Sequence, residues 1–77
     1  MRIVVVLAGA LRDYVSNGVD RMEVELPEGA TVRELIGALG LQLELVMAVV
    51  AGGEKRGKDY RLTAGEEITL IPPVSGG

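Results

Sequence analysis

The residues best placed to do chemistry are the last six, Pro72-Pro73-Val74-Ser75-Gly76-Gly77. Gly76 and Gly77 carry no Cβ, so an end built from them can enter a narrow cleft and set its carboxylate against another molecule's reactive atoms. Consecutive prolines favour a stiff, extended polyproline conformation, which is expected to hold the following residues off the body. Taken alone, a Gly-Gly end reads first as a frayed terminus, and the rest of the chain shifts that reading. Other chemistries are thinly supplied. The chain has no cysteine and no histidine, which excludes disulfides, thiolate nucleophiles, cysteine-ligated metals and the commonest general base. Glu23 and Glu25 share one face of an alternating segment, which reads as a solvated strand face rather than a catalytic pair. The segment 52–58 has the G-x-x-x-x-G-K spacing of a phosphate loop. Asp59, however, stands where a magnesium-binding Ser or Thr belongs and no helical pattern follows, so it reads as a charged loop.

Composition narrows the classes further. The chain has 77 residues, 48% of them hydrophobic, with no Phe or Trp and net charge −3. One domain over 1–77 is expected, held by a Val/Leu/Ile core near the lower size limit for folding without staples. Eleven acidic against eight basic residues, with Tyr14 and Tyr60 the sole aromatics, argue against nucleic acid, which needs cationic phosphate contacts and stacking platforms. No apolar run approaches membrane-spanning length and no signal peptide precedes the first strand, so a soluble, cytoplasmic protein with no membrane partner is expected.

The elements that must position the tail follow from periodicity. Ile3-Val4-Val5-Val6-Leu7 is β-branched without alternation, as in a central strand covered on both faces. Residues 10–15 can form a short helix in the connection that follows. In 21–26, Met22, Val24 and Leu26 alternate with charges, as in a half-exposed strand. Thr31-Val32-Arg33-Glu34 reads as a capping box. Behind it Val32, Leu35, Ile36 and Leu39 form one apolar stripe that Gly40 ends. Gly37 inside that helix suggests close packing against the sheet. Residues 41–46 are ambiguous between a helical turn and a strand lead-in. A strand over 47–51 turns at Gly52-Gly53 into a short arm, and a last strand, 68–71, stops at Pro72, which has no amide hydrogen to pair. A helix between strands lets the first and last strands pair in parallel. The expected class is α+β: a β-grasp (ubiquitin-like) mixed sheet with one main helix on one face and a protruding C-terminal Gly-Gly tail over 71–77. Val4, Val6, Ala48, Val50 and Ile71 are expected to form an aliphatic patch on the sheet's other face, unless loops cover it. Such a patch usually marks an interface.

The sequence resembles the MoaD/ThiS family of ubiquitin-like sulfur carriers, through residues 24–35, residues 62–68 and above all the Pro-Pro-x-x-Gly-Gly end. That end looks most like the molybdopterin synthase small subunit. It departs from the family pattern at Val6-Leu7-Ala8, at Ala51-Gly52-Gly53 and at the charged Lys55-Arg56-Gly57-Lys58, none of which touches the tail. The resemblance implies a carrier rather than an enzyme. An E1-like enzyme would use ATP to adenylate the Gly77 carboxylate, and a sulfur donor would convert it to a thiocarboxylate. The sulfur would then pass to a pterin precursor on the molybdopterin synthase large subunit, or in other branches to thiazole synthase or a tRNA thiolase. Gly77 and Gly76 would be the reacting end, and Pro72, Pro73, Val74, Ser75 and Val6 would meet partners, with no cofactor bound. A lysine-conjugated protein modifier and a β-grasp interaction domain with an inert tail remain open.

Overall fold

Alternation decides which way the first strand faces. In β1 (Arg2–Leu7), Ile3, Val5 and Leu7 are buried while Val4 and Val6 are half-buried. The strand is therefore covered on one face only, contrary to the expectation of cover on both. The computed structural model describes residues 1–15 and 18–73. After β1 come a 3-10 helix (Gly9–Tyr14), β2 (Arg21–Glu25), α1 (Val32–Ala38), a second 3-10 helix (Leu43–Leu45), β3 (Ala48–Ala51), β4 (Glu54–Arg56) and β5 (Glu67–Ile71). The five strands form one mixed sheet ordered β2-β1-β5-β3-β4. Antiparallel hairpins flank a central parallel pair, β1 with β5, in the register Val5↔Ile68 and Leu7↔Leu70. This is the β-grasp expected from the sequence. The 3-10 helix at Gly9–Tyr14 fills the connection read as a short helix, and a second one resolves the ambiguous 41–46 segment.

The helix forms where its signals stand. The Thr31 side chain accepts from the Glu34 amide, and Glu34 Oε1 accepts from the Thr31 amide, each at 3.3 Å. Two further amides of the first turn are taken by carbonyls of the arm, Val32 by Tyr60 at 3.0 Å and Arg33 by Lys58 at 2.9 Å. At the other end Gly40 (φ +76°) closes the helix, with the Leu41 amide bonded to the Ile36 carbonyl and the Gly40 amide to the Gly37 carbonyl. That pair of bonds is a Schellman motif. Val32, Leu35 and Ile36 are fully buried against Ile3, Val5, Ile68 and Leu70 in one aliphatic core, and no polar or charged side chain is buried among the described residues.

Two helix expectations need correction. Leu39 is half-buried rather than buried, because α1 ends at Ala38 and Leu39 occupies the C-cap. Gly37 does not pack on the sheet: it is exposed, and a Cβ there would have no neighbour within 4 Å. It lies just past the apolar stripe, on the solvent side. Leu35→Ala, which opens a cavity in the closed core, should lower unfolding free energy by about 2–5 kcal/mol in urea titrations. Gly37→Ala should raise it by about 0.5–1 kcal/mol, since the methyl is unobstructed and removes backbone freedom from the unfolded chain.

Candidate functional site at the end of the central strand

The last residues of β5 are held from both sides. The Ala8 amide donates to the Leu70 carbonyl at 2.9 Å and the Met47 amide donates to the Ile71 carbonyl at 2.8 Å. Pairing stops at Pro72, as its missing amide hydrogen requires. The prolines do not both stand off the body, however. Pro72 is half-buried against the loop after β1, with its ring beside Gly9, and only Pro73 is exposed. The departure of the tail therefore begins one residue later than polyproline stiffness suggested. A half-open cleft of about 500 Å³ runs beside this exit, lined by Ala10, Leu11, Tyr14 and Leu45 along with Gly9 and the two prolines. Leu11 is buried in the core and anchors this wall, while Tyr14 is 59% exposed. Val74, Ser75, Gly76 and Gly77 lie outside the described residues.

The sheet face opposite the helix carries the expected aliphatic residues. Val4 and Val6 of β1, Ile71 of β5, and Ala48 and Val50 of β3 share that face by register. Each is half-buried rather than open. Arg2 pairs with Glu23 and Glu25 at 3.4 and 3.5 Å on the β2 side of the stripe, and Arg21 of β2 reaches over β1 to Glu67 of β5 at 2.9 Å. Exposed pairs of this kind add little stability, but they put charge beside the apolar strip and across its β1 part. Glu23 and Glu25 are thus arginine partners on a solvated face, as their alternation indicated.

Other ionisable groups serve the arm. Lys58 Nζ donates to the Leu43 carbonyl at 2.9 Å, which ties the 52–58 segment to the second 3-10 helix. The Tyr60 hydroxyl donates to Glu66, and Arg56 lies 4.8 Å from the centre of the Tyr60 ring. The hydrogen bond to Glu66, then desolvation, raise the Tyr60 pKa above its ordinary value. Among the described residues no group of three or more carboxylates could hold a metal, and no helix is long and apolar enough to cross a membrane. The sequence did not disclose the cleft or the Gly9–Pro72 contact. Both follow from the parallel register, which, carried two residues past Leu7↔Leu70, sets Gly9 beside Pro72.

A five-stranded mixed sheet with one main helix, its central strand ending at Pro72 and Pro73, defines the ubiquitin-like β-grasp class. Within it the family is specific: residues 5–77 match the ThiS family, and the chain belongs to that family. Members of it are carrier subunits that act with partner enzymes and are not themselves catalysts. Among solved structures, SAMP1 of Haloferax volcanii is 26% identical over the full length of both chains, with TM-score 0.77. A Pyrococcus furiosus protein provisionally named molybdopterin converting factor, subunit 1, is 27% identical over 96% of this chain and 99% of its own, with TM-score 0.75. One chain from the complex of subunits 1 and 2 of the Helicobacter pylori molybdopterin-converting factor gives a likeness of fold at 22% identity and TM-score 0.64, covering all of this chain and all of that one. No curated protein matches the sequence.

Proposed function

We propose that this chain is a sulfur carrier whose Gly77 carboxylate is activated and thiolated in trans, and that it serves molybdopterin synthesis. The observation that carries the reading is the coincidence of two features. The ThiS match extends through residue 77, and the paired end of β5 stops at Pro72 with the fold's central strand aimed outward. A free carboxylate is a poor acyl electrophile. Its oxygen attacks the α-phosphorus of ATP in an E1-like enzyme, pyrophosphate leaves, and a sulfide-level donor then displaces AMP at the acyl carbon. The product is a Gly77 thiocarboxylate. This chain supplies an unhindered acyl end and its placement, and the partners supply the acid–base groups. Pro72, Pro73, Val74 and Ser75 form the stem that the partner grips, and Gly76 keeps the approach narrow.

The likeness to the Pyrococcus furiosus subunit supports molybdopterin as the pathway. The large subunit of molybdopterin synthase is then the sulfur acceptor's host, in place of thiazole synthase or a tRNA thiolase. The aliphatic strip with its ion pairs supports the second half of the proposal, that Val6 and its neighbours dock these enzymes. Comparable likeness to a Haloferax volcanii protein named as a small archaeal modifier favours a second reading, in which a substrate lysine attacks the same acyl-adenylate.

Incubated with ATP, a sulfide source and the E1-like enzyme of its own genome, the protein should replace one oxygen by sulfur. The gain should map to the C-terminal peptide in intact-mass and fragment spectra. Deleting Gly77 should abolish the gain without moving Tm, and sulfur uptake by that variant would refute the mechanism. Covalent adducts on other proteins, seen in place of thiocarboxylate, would select the modifier reading. Val6→Asp should weaken binding of the E1-like enzyme by about tenfold, roughly 1.4 kcal/mol, while the circular dichroism spectrum stays native. Unchanged affinity would remove the sheet face from the docking surface.

A further inference from the structure

Gly9 combines two features that no other described glycine has together. Its φ is +58°, a region that L side chains rarely adopt, and a Cβ there would lie 3.1 Å from Pro72 Cγ and 3.7 Å from Pro72 Cδ. The other positive-φ glycines have at most the far end of an arginine side chain near a would-be Cβ. The backbone that carries the ring is also held in place. Leu70 and Ile71 are pinned by the Ala8 and Met47 amides, and the proline ring fixes its own φ. On its other side Gly9 begins the 3-10 helix anchored by buried Leu11.

We infer that Gly9 is a positioning residue for the carrier reaction, a bare-backbone seat for the Pro72 ring that sets the direction in which the acyl end leaves the domain. This rests on the carrier reading above. A side chain at position 9 must push the ring by a few tenths of an ångström, which changes the exit of the chain at Pro72 and Pro73. Displacements approaching 1 Å at a reacting atom can cost up to about a hundredfold in rate.

The test compares Gly9→Ala with Gly40→Ala, which places a methyl at φ +76° with nothing within 4 Å. Both variants carry left-handed backbone strain and should lose similar stability. In steady-state activation by the E1-like enzyme with ATP, Gly9→Ala should lower kcat about tenfold with KM unchanged, because docking through the sheet is intact and the tail is misdirected. Gly40→Ala should match wild type in both. Combining Gly9→Ala with Pro72→Ala removes the ring the methyl would strike, so the double variant should equal Pro72→Ala alone. In wild type, nuclear Overhauser contacts between Gly9 Hα and the Pro72 ring should be present, and their absence overturns the inference before any enzyme is added. Wild type that takes up no sulfur overturns the carrier reading and this inference with it. Wild type that does so, while Gly9→Ala keeps the kcat of Gly40→Ala, overturns the inference alone.

Discussion

The parallel pairing of β1 with β5 is the constraint on which everything else hangs. It joins strands from opposite ends of the chain, so it cannot form until the helix has carried the chain across the sheet. Its inward residues, Ile3, Val5, Leu7, Ile68 and Leu70, are all at most 2% exposed and meet Val32, Leu35 and Ile36. A chain this short buries a modest fraction of its surface and has no disulfide to make up the difference. The surface ion pairs contribute little. Aliphatic contact across this one ladder is what makes the domain cooperative.

The same pairing makes the site. Because the two strands run in one direction, their continuations emerge at the same end, and the loop after β1 must pass the exit of β5. Had they been antiparallel, Pro72 would have met the start of β1 instead. The first 3-10 helix, with Leu11 inward and Tyr14 outward, therefore becomes a wall of the exit cleft. The candidate exit is thereby built on a strand paired on both flanks.

Much of this was legible in the residues. Thr31 and Glu34 announce the start of α1, Gly40 its end, and Pro72 the end of the ladder, each through a local rule that tertiary packing did not override. Apart from Leu39, whose burial turned on where the helix ends, the points that needed correction share a cause: they concern which face a residue takes, or which distant residue stands beside it. The unbroken run Ile3–Leu7 looks the same whether both faces are covered or only one. Gly37 follows Ile36 by one position, which turns it off the apolar stripe, so the stripe itself held the information that it faces solvent. The Gly9–Pro72 contact is nonlocal and depends on a register that only the paired strands define.

The position of β5 has a mechanical consequence. Any pull on the C-terminus enters a strand bonded on both flanks, to β1 and to β3. Tension along that strand loads the two ladders in shear, so many bonds share it at once, whereas a terminus leaving an edge strand could be peeled one bond at a time. A pull at this end is thus borne by both ladders together before the core is opened.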